Sequence, residues 1–243
     1  HSRSVSRPLT LLERILILIA FLLALGLLVL LPVDTQIGQL GDEHELRVPE
    51  DFSSIQLAID AAQPGDRILI NARLGPYHGA LLIETPGITL ISQYGRAIIN
   101  TQDGSLQAVR ILADNVKLLG FEVQTTYMGI HVEDASGVEI TDNIVRDTLG
   151  MAVVLIDVQE SLISNNISER NFHGIWVSGS SHNNVIRDNT IRDQSGVGIA
   201  LSLSHETEIL ENSVTGNRMI GIELLGSSRN VVRGKRIAHY ERE

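Results

Sequence analysis

The sequence predicts an all-β fold, a parallel β-helix of about seven coils, and three observations between residues 129 and 235 carry that prediction. A short unit recurs about every 23 residues. Gly129, Ala152, Gly174, Gly198 and Gly221 form one column, and Ile140, Ile163, Ile186, Ile209 and Val232 form another at an unbroken spacing of 23. A unit this small cannot bury its own apolar face and must stack on its neighbours. Within each unit apolar residues alternate with others, as in Ile130-His131-Val132 and Ile175-Trp176-Val177, and that is the period of strands. A third column holds Asn143, Asn166, Asn189 and Asn212, and Lys235 breaks it in the fifth copy. Stacked amides hydrogen-bond along a solenoid axis, and asparagine tolerates the left-handed backbone of a tight corner, so this column reads as a structural ladder.

The remaining elements follow in chain order. Residues 1–14 carry Arg3, Arg7 and Arg14 and precede residues 15–31, a run of 17 uncharged, nearly all apolar residues. That length just spans a bilayer, and no small-x-small cleavage site follows, so residues 15–33 are expected to be an uncleaved single-pass transmembrane helix. The arginines before the run place residues 1–14 in the cytoplasm and the rest on the periplasmic or extracellular side. Residues 34–47 read as a linker and residues 48–243 as the β-helix domain. At its start, Ile55, Ala58, Ile59 and Ala62 share one helical face, with Ser53 or Ser54 as N-cap and Pro64-Gly65 as stop. A helix there would cover the open end of the first coil, which otherwise exposes apolar interior and unpaired strand edges. Residues 87–91 with 97–99, and 108–112 with 116–123, read as two less regular coils before the array. The last residues contain no recognisable capping helix, so a partner or further residues would have to cover the final coil.

The capping segment, with Ile68 to Ile70 and Gly75-Pro76-Tyr77, and the asparagine-cornered repeat together resemble the right-handed β-helix proteins of the pectin-lyase-like superfamily. The resemblance implies the handedness of the coil. One branch, the periplasmic β-helix protein that helps mature the copper sites of nitrous-oxide reductase, shares these repeats and implies metal delivery as a third function.

Composition narrows the function classes. The chain has 29 acidic and 19 basic residues, a net charge of −10, and no basic stripe to neutralise phosphates, which argues against nucleic-acid binding. It has no cysteine, so disulfides, thiolate metal sites and cysteine nucleophiles are excluded together. No cofactor is expected. Superfamily enzymes that act on acidic polysaccharides set carboxylates together on one outward sheet; here no adjacent aspartate pair occurs, and Asp134, Asp157 and Asp188 fall at different places in the repeat. Gly75-Pro76-Tyr77-His78 and Gln107-Ala108-Val109 resemble two pectinesterase motifs, with His78 where an acid is expected. No catalytic residue is assigned. Among the histidines of the array only His182 and His205 share a register, so they are the metal candidates, and two ligands do not close a site.

The period of two decides what faces outward. If the flanking Ile and Val residues point in, then His131, Val154, Trp176, Ala200 and Glu223 point out, followed by Glu133, Ile156, Ser178, Ser202 and Leu225. Val154, Ile156, Trp176 and Ala200 then form an apolar patch on a face where a solvated protein carries charge. The expected function is a membrane-anchored binding or accessory subunit of a membrane protein complex, with Trp176, Val154 and Ile156 as its contacts. The alternative is a carbohydrate-active enzyme or polysaccharide-binding module in which Trp176 stacks on a sugar ring and His131, Glu133 or Glu223 does polar work.

Overall fold

The structure, a computed structural model, describes residues 44–101, 104–125 and 127–239. The expected transmembrane segment at residues 15–33 lies outside the described residues, and among those described no helix is long and apolar enough to cross a membrane. The rest is a parallel β-solenoid with few helices. It makes about eight turns, one more than expected, and at the N-terminal end the strands Glu45–Val48 and Arg67–Asn71 stack ahead of Thr89–Gln93.

Two sheets run along the axis. The short one stacks seven strands, from Leu81–Ile83 through Gln107–Ile111, Met128–Glu133, Met151–Ile156, His173–Ser178 and Ile199–Ser202 to Ile222–Leu225. The other has 15 strands and two faces, which flank the asparagine corner and merge in the continuous strand Glu208–Asn217. Register follows the repeat. Ile140, Ile163, Ile186, Ile209 and Val232 are successive Cα partners, as are Ile130, Val153, Ile175, Ile199 and Ile222. Each interior column through Ile209 or Ile199 is buried in one apolar core. The glycine column marks where the backbone of one turn crosses close to the next. A Cβ on Gly174 would lie 2.2 Å from Gly198 O, so no side chain fits at that point.

The corners correct one detail of the ladder. The left-handed residues are those just before the asparagines, namely Asp142, Asn165, Asp188 and Glu211, with φ of 58, 54, 57 and 52°. The asparagines themselves are buried, and each Oδ1 accepts the backbone N–H one turn earlier: Phe121 to Asn143, Asn143 to Asn166, Asn166 to Asn189 and Asn189 to Asn212, all at 2.8–2.9 Å. Each Nδ2 donates to a carbonyl 25 or 26 residues back. The corner therefore needs a residue tolerant of positive φ beside one with an amide, and the second task is the one asparagine performs here. A second ladder, Asn171, Gln194 and Asn217, satisfies Thr148, Asn171 and Gln194 N–H groups at another corner in the same way.

The ends differ. At the first, Ile55–Ala61 is helical, Ser54 Oγ accepts from Leu57 N, and Ile55, Ala58 and Ile59 are buried. Gln56 pins this helix to the short sheet through Leu82 N and O, at 2.9 and 3.0 Å. The strand Glu45–Val48 begins inside the segment read as linker, because Leu46 and Val48 already join the core. At the other end Leu224, Val232 and Ile237 are 46, 39 and 50% exposed, although their columns are interior in earlier turns.

Candidate functional site on the outward face of the short sheet

The outward face of the short sheet is built from three columns. Arg110, His131, Val154, Trp176, Ala200 and Glu223 are successive Cα partners in the middle one. Glu133, Ile156 and Ser178 stand beside them on one side. On the other side, towards the corner, lie Gln107, Met128, Met151 and His173.

The alternation places these residues in the sheet, and the environment of each is set by its neighbours. Trp176 and Ile156 are half-buried, and so is Glu223. Val154 and Ala200 are 3% and 2% exposed, which corrects the expectation of an open apolar patch. Val154 has His131 on one side and Trp176 on the other, and a short side chain between two rings is shut off from water. The surface that remains accessible is therefore aromatic and polar. Its apolar extension lies at the adjoining corner, where Tyr127 and Phe172 are each 45% exposed and Leu149 is 71% exposed.

The polar end is organised around His131. Its Nδ1 lies 3.3 Å from Gln107 Nε2, and its Nε2 is buried without a partner, as is Arg110 Nε. Arg110 Nη2 donates to Glu133 Oε2 at 2.7 Å and holds that carboxyl below the usual carboxylate range. Burial holds the His131 imidazole below the ordinary histidine value, with Glu133 opposing and Arg110 assisting. Further along, the ring of His173 packs 5.2 Å from Trp176 and 4.4 Å from Phe172, and its Nδ1 accepts Val197 N–H at 2.9 Å. His173 is also held below the ordinary value, mainly by burial. Both imidazoles are thus neutral at pH 7.

His182 and His205 do stack one turn apart, but Nδ1 of His205 is engaged by Ser228 Oγ at 2.8 Å. Among the described residues no three of His, Asp and Glu come together to hold an ion. On the long sheet Arg146, Arg170 and Arg192 converge on the buried Glu169, and Glu122 and Asp147 balance them, so this cluster is a closed ion-pair network. The sequence columns missed Arg110, Gln107 and His173. Arg110 sits 21 residues before its partner His131, outside the regular 23, and His173 precedes the glycine where the alternation begins. The aromatic spacing of Tyr127 and Phe172 was visible in principle, at the same distance from Gly129 and Gly174.

The comparisons with known proteins agree with this architecture. The family described as "Periplasmic copper-binding protein (NosD)" matches residues 59–241. A cell surface glycoprotein of Methanothermus fervidus is 30% identical over 184 residues, which cover 71% of this chain and 30% of that protein. Among solved structures, pectate lyase Pel9A is similar with a TM-score of 0.56 at 16% identity, over 69% of this chain and 49% of that one. An iota-carrageenase complexed to iota-carrageenan fragments is similar with a TM-score of 0.57 at 14% identity, over 70% and 49%. At such identities the likeness to solved structures is one of fold. The chain spans under a third of its curated relative and about half of those two enzymes. The match over residues 59–241 takes in the end of the capping helix and every turn of the array, and the chain belongs to the NosD family of periplasmic copper-binding proteins.

Proposed function

We propose that this chain is an extracytoplasmic β-solenoid, anchored by residues 15–33, that serves as a non-catalytic binding or accessory subunit of a membrane complex. The observation that carries the reading is Trp176. It stands half-buried on the outward sheet, against His173, with the exposed Phe172 beside it. An aromatic anchor ringed by small or shielded residues is the kind of side chain that dominates an interface. The periplasmic description of the family and the cell-surface description of the relative support the location. Glu133, held ionised by Arg110, does not serve as a general acid near neutrality.

A pull-down in mild detergent tests the reading. The wild-type chain is expected to carry a stoichiometric membrane partner, and Trp176→Ala is expected to lose it while remaining folded. A chain that travels alone in both forms refutes it. The second reading, a polysaccharide-binding module, is favoured by Tyr127 and Phe172, two exposed aromatic rings along the corner beside the sheet. Acidic oligosaccharides would then quench the fluorescence of the single Trp, and the accessory-subunit reading predicts no quenching.

The family's description names copper. The pair His182 and His205 does not fit it, for the reasons given above, and no trio of oxygen and nitrogen ligands replaces that pair among the described residues.

A further inference from the structure

We propose that Arg110 and His131, adjacent on the outward face of the short sheet, receive a single carboxylate that a protein partner presents among apolar residues. The proposal rests on the accessory-subunit reading and names the chemistry of its contact. It starts from two buried atoms. Arg110 and His131 are Cα partners on neighbouring strands, about 4.8 Å apart. His131 is only 7% exposed, and neither its Nε2 nor Arg110 Nε has a hydrogen-bond partner among the described residues. A buried polar group left so is costly, and a native structure keeps one where something else completes it.

What completes them follows from where their protons are. Gln107 Nε2 lies 3.3 Å from His131 Nδ1, and an amide N–H donating there leaves Nε2 as the protonated nitrogen of the neutral ring. Arg110 Nε carries a hydrogen in every state. Both groups are therefore donors on one face, and a carboxylate, with two accepting oxygens, matches the pair. Arg110 Nη2 is tied to Glu133 Oε2 at 2.7 Å, which leaves the Nε edge of the guanidinium for a second acceptor. The Arg110 side chain is 41% exposed, so it can turn to admit one.

Charge limits the ligand to one carboxylate. Arg110 and Glu133 cancel, so an incoming anion is balanced only when His131 takes up a proton. The charged groups facing His131 are Arg110 and Glu133, with Asp157 beyond acting on Glu133; Val154, next in the column, is apolar. Glu223 stands further along the same column. A polyuronate carries a charge on every sugar and would set its other carboxylates against Glu133, Asp157 or Glu223. An isolated carboxylate meets Arg110 and His131 alone, and apolar groups beside it meet the half-buried Ile156 and Trp176. The face thus suits one acidic residue within an apolar segment of a protein surface.

The test uses the full chain in detergent and phenylacetate, a lone carboxylate on an apolar group, with nitrogen NMR of the histidines. Phenylacetate is expected to shift one imidazole resonance, assigned to His131 by its loss in His131→Gln. Binding should be roughly threefold or more tighter at about pH 6.5 than at about pH 7.5, because a proton enters with the anion. His131→Gln keeps an N–H donor and should lose that pH dependence. Arg110→Lys keeps the charge beside Glu133 but has no Nε–H, and is expected to weaken binding about tenfold or more. Trigalacturonate should bind no more tightly than phenylacetate. An unmoved His131 resonance, an Arg110→Lys chain that binds as tightly as wild type with an unchanged melting temperature, or tighter binding of trigalacturonate overturns the proposal. None of these titrations uses the partner, so their failure and the failure of the pull-down are separate results. In the pull-down itself, Arg110→Lys/His131→Gln should retain less partner than wild type, and equal retention also overturns the proposal.

Discussion

The asparagine corner and the outward face of the short sheet are built at the same spacing, yet one repeats its residue and the other does not. Asn143, Asn166, Asn189 and Asn212 are chemically identical because each bonds the next, and a rung that changed would leave its neighbour's N–H buried and unpaired. Arg110, His131, Val154, Trp176, Ala200 and Glu223 obey no such demand, since their backbone bonds are made within the sheet and their side chains need no axial partner. In a solenoid, then, uniform columns are where the scaffold is held, and variable columns on an outward face are where a site can be written.

Breaking a uniform column should therefore give the largest loss of stability. Asn189 Oδ1 accepts from Asn166 N at 2.8 Å and Asn166 Nδ2 at 3.0 Å, and Asn189 Nδ2 donates to Ile163 O at 2.8 Å. Asn189→Leu strands three buried groups, and about 3 kcal/mol or more is expected from urea unfolding, at 1–3 kcal/mol per unsatisfied group with partial relaxation. A midpoint unmoved by the change would abolish the distinction between the two regions. Gly198→Ala comes next. Its Cβ would meet Gly221 O at 2.6 Å and Val214 Cγ1 at 2.7 Å, and overpacking of this kind costs about 2 kcal/mol. The same column holds Ala152 natively, so Ala152→Gly is the control and should change stability far less.

The same distinction explains what the sequence disclosed. Strand period, register and ladder were legible because each turn repeats them, and five copies of Ile140's column leave no freedom to misplace a strand. The capping helix was legible from Ser54, the apolar face of Ile55, Ala58 and Ile59, and Pro64-Gly65. Burial on the outward face was not legible. Nothing in the alternation tells that Val154 lies closed between His131 and Trp176, or that Arg110 reaches Glu133, because those contacts depend on side-chain lengths in neighbouring turns. The left-handed residues were assigned one position late, because the demand for positive φ and the demand for an amide fall on consecutive residues.

Acid titration sharpens the comparison from the side of the variable face. His131 and His173 are both depressed, mainly by burial, so each binds its proton more weakly folded than unfolded. Their contribution is complete above the unfolded value of about 6.5 and is lost as pH falls from there through the folded values. The groups facing them are Glu133 and Arg110 at His131, and Glu223 at His173. The melting temperature is expected to fall as pH drops from about 7.5 towards 5.5. His131→Gln/His173→Gln should flatten that slope. A further loss at more acid pH should survive in the double variant, since Glu133 and Asp147 are held below their ordinary values by hydrogen-bonded arginines, and Glu122 by hydrogen bonds from Gln124 and Arg146, and all three lose those bonds on protonation. If the slope above pH 5.5 persists without the two histidines, the buried titratable groups lie elsewhere in the solenoid.

Trp176→Ala should have the smallest effect on the isolated chain and the largest on whatever the face binds. The ring lies outside the interior, between Val154 and Ala200 in register and against His173, so its removal uncovers small residues of the outer surface and opens no cavity in the core. A stability change under about 1 kcal/mol is expected, against the several kcal/mol that a buried Trp truncation costs. At a partner interface the same truncation typically costs about 2 kcal/mol or more, a loss of at least thirtyfold in affinity. The two measurements together decide the matter. A destabilisation as large as that of Asn189→Leu would make Trp176 part of the scaffold, and a variable column would then be holding the fold. A small destabilisation with an undiminished complex would leave the variable face intact as a surface but would move the contact to the neighbouring corner of Tyr127, Leu149 and Phe172, where exposure is greatest.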